Sequence, residues 1–131
     1  MMGFRFFLFI TRKPTLTPTE FMTHWDTKHV ELLKNITGED FPISHTRHYI
    51  ARPTEQNGTW PAAVLIGGQE DFSYDGIAEL VFENEQAFQT FYAKVSDPEA
   101  AAKIAADEET FIVREAMKAV VKADTSVSLR K

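Results

Sequence analysis

"FRFFLFITRKPTLTPTEFMTHWDTKHVELL", residues 4–33, carries a strand signal followed by a helix signal, and the pair decides the fold. Residues 4–11 are rich in aromatics and bounded by Arg12-Lys13-Pro14, as a strand is. Alternation sets Phe4, Phe6, Leu8 and Ile10 on one face and Arg5, Phe7, Phe9 and Thr11 on the other. Both faces are apolar, so both need cover. Helices can cover one. A second copy of the chain is the natural cover for the other.

The helix that follows has a marked start. Thr17 is suited to the N-cap, Pro18 to the first helical position, and Glu20 to closing a capping box. Leu16 and Phe21 stand at the hydrophobic-staple positions. The helix is expected to run to about Asn35, with Gly38 as its stop. At about 100° per residue, Phe21, Trp25, Leu32 and Ile36 fall within about 60° of one another. His29 lies beside that stripe, one turn after Trp25. His24 falls roughly 140° from His29 by the same arithmetic. A regular helix therefore points His29 at the sheet and His24 at the exposed flank.

Residues 42–52 read as a second strand, with His45, Arg47 and Tyr49 on one face and Ser44, Thr46, His48 and Ile50 on the other. Residues 53–75 carry Pro, Asn-Gly, Trp-Pro and Gly-Gly, a long connection of the kind that often serves as a lid. Within it "AAVLIGG" is ambiguous between a short strand and buried loop. A third strand is expected over 74–83, and a helix capped by Asn84 with Phe88, Phe91, Tyr92 and Val95 on one side. Asp97-Pro98 restarts a helix over 98–109, and 110–121 reads as the fourth strand. The order β-α-β-β-α-β predicts an α+β, ferredoxin-like four-stranded antiparallel sheet with helices on one face. Two such sheets face to face make a dimeric α+β barrel. Residues 1–121 form the single expected domain, and 122–131 a polar C-terminal tail.

Composition removes several classes of function. With no cysteine, thiol nucleophiles, disulfides and Cys-ligated metal centres are excluded. A net charge of −5 argues against nucleic-acid binding, which needs a basic face. The apolar run 4–10 is far too short to span a bilayer and lacks the marks of a signal peptide, so no membrane partner and a cytoplasmic location are expected. There is no HExxH, no GxGxxG, no P-loop and no GxSxG, and neither a metal nor an organic cofactor is expected. Residue pattern alone leaves His29 open between a core histidine with a backbone partner and a general acid/base working near neutral pH. Arg47 can hold a substrate carboxylate, whereas Arg12 and Lys13 read better as a solvated strand end.

"RKPTLTPTEFMTHWDTKHVELL", residues 12–33, resembles the EthD pattern: R-K-P, a gap, a capped helix with F, then H-W, three residues, and H. "YDGIAELVFE" is similar to that family's third strand, and "DEETFI", residues 107–112, to its approach to the fourth. The 53–75 connection departs from the pattern. The resemblance implies a dimeric α+β barrel, a homodimer through the open sheet face, and a pocket inside each subunit between helices and sheet. Relatives in that superfamily include isomerases, polyketide cyclases, decarboxylases, dehydratases and cofactor-free monooxygenases. By this likeness His29 lines the pocket, Tyr49 corresponds to a strand tyrosine of isomerase relatives, His45 and Arg47 lie on the pocket side, and His48 points toward the dimer core. The expected function is a cofactor-independent lyase of decarboxylase, dehydratase or cyclase type, acting on an aromatic polyketide or similar phenolic intermediate, in its most specific form in a fungal biosynthetic pathway. His29, Tyr49 and His45 are its expected catalytic groups, and Trp25, Arg47, Trp60 and His48 its substrate-binding groups. The alternatives are a cofactor-free monooxygenase on an anthrone-like substrate and a non-catalytic dimeric binding or accessory protein.

Overall fold

A computed structural model describes residues 3–131. The β-branched and aromatic runs form four strands: β1 (Phe4–Ile10), β2 (Ser44–Tyr49), β3 (Gly76–Phe82) and β4 (Lys118–Val121). They pair antiparallel in the order β2-β3-β1-β4. β1 and β3 are the inner strands, each paired on both edges, and β1 carries the most apolar sequence. This is the expected ferredoxin-like arrangement.

Helices α1 (Pro18–Thr23), α2 (Val30–Thr37), α3 (Glu85–Ser96) and α4 (Pro98–Phe111) cover one face of the sheet. The capping box at Thr17 and Glu20 forms as expected, with both reciprocal hydrogen bonds present. Asn84 and Asp97 cap α3 and α4 through their side chains. Phe21, Trp25 and Val30 from the first helical rod meet Ile10, Ala78, Leu80 and Phe82 of the sheet and Phe91 and Phe111 of the later helices. Gly76 is required here: a Cβ at that position would stand 2.5 Å from the Trp25 ring.

Two expectations need correction, and one open reading is decided. The first rod is not one regular helix: His24–His29 forms a π-helical segment between α1 and α2. The fourth strand is shorter than the 110–121 prediction, because α4 continues through Phe111 and a 3₁₀ turn at Arg114–Ala116 precedes β4. Phe111 is apolar because it fills the core from a helix end, so its burial does not signal a strand. The "AAVLIGG" segment forms no strand.

The 50–75 connection is anchored through Arg52 and Asp75. Arg52 donates to the backbone carbonyls of Trp60, Phe72 and Tyr74. Its Nε lies 2.7 Å from Asp75 Oδ1 as a charge contact without hydrogen-bond alignment. Asp75 also accepts from the Arg12 backbone and side chain. On the second face of the sheet Phe7 and Phe9 are half-buried; they touch each other, and Phe9 meets Tyr74 edge-on. Among the described residues no helix is long and apolar enough to cross a membrane.

Candidate active site

Between the helices and the sheet lies a cavity of about 320 Å³. Its walls are apolar: Phe6, Leu8 and Leu80 from the sheet, Trp25 and Leu33 from the first rod, Phe91, Ile104 and Phe111 from the later helices. Among the lining residues His29, His45, Glu108 and Tyr92 carry polar side-chain groups, and the first three are ionisable near neutral or acid pH. An apolar pocket with few convergent polar groups is the usual form of a small-molecule site.

His29 closes the π-helical segment and is 6% exposed. Its Nδ1 donates to Asp107 Oδ2 at 2.8 Å. That bond fixes the ring; in the neutral imidazole it leaves the lone pair on Nε2, 4.0 Å from Glu108 Oε2. Phe111 packs against the imidazole with ring centroids 5.1 Å apart. An imidazole oriented by a carboxylate through one nitrogen, with the other facing an apolar chamber, is the geometry of a general base.

The second oxygen of Asp107 accepts from His24 Nε2 at 2.9 Å. His24 is therefore not the exposed flank residue that the regular helical wheel predicts. In an i→i+5 helix, residues five apart return to nearly the same side, so the π segment turns His24 and His29 together toward α4. Such segments frequently occur at functional sites.

His45 enters from β2. Its Nδ1 accepts from Arg47 Nη1 at 2.8 Å, so the ring's remaining proton is on Nε2. Burial, aided by the positive charge of Arg47, lowers its pKa to about 4. Near neutral pH His45 is an uncharged N–H donor at the cavity wall. Trp25 meets it edge-on, with ring centroids at 6.2 Å.

Glu108 is 9% exposed, and its Oε1 accepts from Arg114 Nε at 2.9 Å. Asp107 and Glu108 were not singled out as functional groups from sequence, although a signal for them exists. Ile104, Asp107, Glu108 and Phe111 stand at i, i+3, i+4 and i+7, which puts two carboxylates on the apolar stripe of a helix.

The other expected site residues divide. Trp25 lines the cavity. Arg47 does not; its Nε donates to Asp26 Oδ1 at 2.7 Å and its Nη1 to His45, so it orients His45 from behind. Tyr49 is also outside, because the Trp25 ring stands between it and the chamber, perpendicular to the tyrosine ring at 90°. Its hydroxyl donates to Asp26 Oδ1 at 2.6 Å. Burial and that carboxylate push the phenol's pKa up, away from any proton transfer at neutral pH. His48 is exposed on the opposite sheet face, as β-alternation from His45 requires. Trp60 sits in the anchored connection beside Arg12 and Arg52, away from the cavity. Neither His48 nor Trp60 can contact a ligand held at His29 within this subunit. Among the described residues no group of three or more His, Asp and Glu side chains is placed to hold a metal ion.

A ferredoxin-like α+β fold with a helix-to-sheet chamber and an H-W-x₃-H helix defines the class of protein. The EthD domain model matches residues 13–115, and the chain belongs to the EthD family. No curated protein matches the sequence significantly. Similar solved structures include a dimeric ferredoxin-like protein of unknown function from Thermobifida fusca, at 15% identity over 93% of this chain and 91% of that one, with a TM-score of 0.51. An EthD-like protein from Ralstonia eutropha is similar at 11% identity, covering 99% and 96%, with a TM-score of 0.54. SnoaB, a cofactor-independent oxygenase from Streptomyces nogalater, is similar at 10% identity, covering 97% of each chain, with a TM-score of 0.52. At these identities the likeness is one of fold.

Proposed function

We propose that this EthD protein is a cofactor-independent lyase of dehydratase or cyclase type, acting on a compact, largely apolar aromatic substrate such as a phenolic polyketide intermediate. The observation that carries the proposal is the Asp107–His29 pair with its free Nε2 on the wall of an apolar cavity. His29 Nε2 takes a proton from an activated carbon, and the electron pair left behind becomes an enolate. The His45 N–H donates to the enolate oxygen as charge develops there, where a preoriented donor in a dry site has its largest effect. In a dehydration the enolate expels hydroxide, which leaves as water with the proton that His29 took from carbon. In a cyclisation it attacks a carbonyl carbon, and the resulting alkoxide takes that proton. Decarboxylation is served least well, because a substrate carboxylate would meet Glu108 beside His29.

A second reading is a cofactor-free oxygenase, in which the substrate anion itself reacts with oxygen. It is favoured by the likeness to SnoaB, and the same deprotonation begins it. Turnover of an anthrone-like substrate by purified protein under strict anaerobiosis decides between them. Product formation without oxygen supports the lyase, and oxygen-dependent product formation supports the oxygenase. If His29→Gln leaves turnover unchanged, both fail.

Homodimerisation through the open sheet face belongs to the same proposal. Phe7 and Phe9 need cover there, and the similar Thermobifida fusca protein is dimeric. Sedimentation as a dimer at micromolar concentration is the expected result, and a stable monomer contradicts it.

A further inference from the structure

The His29 chamber has a neighbour. A second cavity of about 300 Å³ lies between α3 and the edge strand β4. Phe6, Phe91 and Tyr92 belong to the walls of both, so the two cavities adjoin along these side chains. The remaining walls come from Phe4, Phe88 and residues 119–121 of β4. Among the described residues that line it none is charged, and the Tyr92 hydroxyl is the one polar side-chain group.

Strand pairing fixes the side of the sheet on which this cavity lies. Ala119 pairs with Leu8 and Val121 with Phe6, so their side chains share the helix-facing side with two walls of the chamber. Phe7 and Phe9 point the other way, and a second chain seated on them leaves the cavity uncovered. The walls are held by their own contacts. Phe88 stacks on Phe4 with ring centroids 4.8 Å apart and meets Phe6 edge-on at 5.5 Å, and Tyr92 leans on Phe88 at 5.9 Å. The outer rim is open, with Tyr92 55% and Val121 64% exposed. Open apolar surface that runs into an apolar chamber suits a ligand that extends out of that chamber.

We infer that this cavity is a second substrate subsite: the reacting ring system sits in the His29 chamber, and an uncharged hydrocarbon arm of the same molecule passes Phe6, Phe91 and Tyr92 to lie over Ala119 and Val121. The substrate class is then an aromatic compound bearing an alkyl or aryl arm. This rests on the reading of the chamber as the substrate site. A charged group on the arm is rejected, because no lining residue supplies a counter-charge or a hydrogen bond beyond the Tyr92 hydroxyl. Ala119 sets the room available, since a larger side chain there fills the groove from the strand side.

Anthrone and its 2-alkyl and 2-phenyl derivatives, titrated into the protein without oxygen, test the inference through quenching of tryptophan fluorescence. Trp25 lines the chamber and reports the ring system. Affinity is expected to rise by about 2- to 4-fold for each methylene placed in the groove, then to level off. A gain confined to the alkyl series identifies the arm as a chain, and a gain with the phenyl compound identifies it as a ring. In Ala119→Phe the gain should disappear, while anthrone itself binds within about twofold of its native affinity because the substituted site is separate from the chamber. Val121→Glu sets a charge at the exposed rim and should abolish the gain in the same way; it decides if Ala119→Phe does not fold. A gain that persists in the folded variants overturns the subsite. So does a native protein with no gain, the result expected if another chain occupies the groove. In both cases retained anthrone binding leaves the chamber reading intact. Absence of anthrone binding overturns the chamber reading and the subsite with it. Because binding is read without turnover, failure of His29 as the base shows separately, as unchanged turnover in His29→Gln.

Discussion

Two polar networks flank the Trp25 ring, and they differ in what they leave unused. On one side Asp107 accepts from His24 and His29, and His29 keeps one nitrogen free toward the cavity. On the other side Asp26 accepts from Tyr49 and Arg47, and Arg47 engages His45. In that second network the tyrosine and arginine are spent on one another's partners, and only the far edge of His45 reaches the cavity. Both networks contain residue types common in active sites. What separates a chemical group from a supporting one here is an unengaged polar atom facing apolar space, because that atom alone can exchange a proton with a ligand.

The sharpest break of this comparison is His29→Gln, which removes the free basic nitrogen. Turnover should fall by about 10²–10⁴-fold with thermal stability little changed, as loss of a general base does. Asp107→Asn keeps the shape but orients His29 less well and removes the counter-charge for its imidazolium. A fall of about 10²-fold in kcat is expected, with a smaller change in KM. Equal losses for an Asp26→Asn variant would erase the distinction between the two networks.

Gly76→Ala attacks the partition itself, since the added methyl meets Trp25 at 2.5 Å. Overpacking of this kind should cost about 1–3 kcal/mol, read as a lower urea midpoint. His45 supplies a pH signature. Its folded pKa of about 4 lies below its unfolded value of 6.5, so the unfolded chain binds more protons between those values. Its contribution is complete above pH 6.5 and is lost progressively as pH falls to about 4, on the order of 1–3 kcal/mol. Denaturant titrations between these limits should show the slope, and His45→Gln should flatten it. The smallest effect is expected for Tyr49→Phe. Its hydroxyl serves Asp26 outside the cavity, so turnover should stay within about threefold while stability drops by about 0.5–1.5 kcal/mol.

Much of the frame could be read in the chain. The capping box at Thr17 and Glu20 places the helix start, and the aromatic alternation of residues 4–10 places the central strand. The face shared by His45, Arg47 and Tyr49 follows from strand alternation and holds in the structure. The site was legible only in part. His29 and Trp25 reach the cavity as the helical stripe implied, but Tyr49, Arg47, Trp60 and His48 do not line it. Sharing a strand face does not mean sharing a pocket, because a single ring such as Trp25 can divide that face. Asp107 and Glu108 lie far along the chain from His29, and only their spacing with Ile104 and Phe111 hinted that they face inward.

By itself the sequence determined the ferredoxin-like order of elements, because capping, alternation and turn chemistry are local and act over a few residues. It also determined that His29 leans toward the core, since Trp25 lies one turn before it. Only the tertiary structure decided that His24 joins His29 on one carboxylate. The i→i+5 turn that brings them together sits between α1 and α2, and packing against Phe111 and hydrogen bonds to α4 hold its two histidines, none of which a residue-by-residue period contains. The same long-range packing decided which polar atoms remain free, and with them where a proton can be moved.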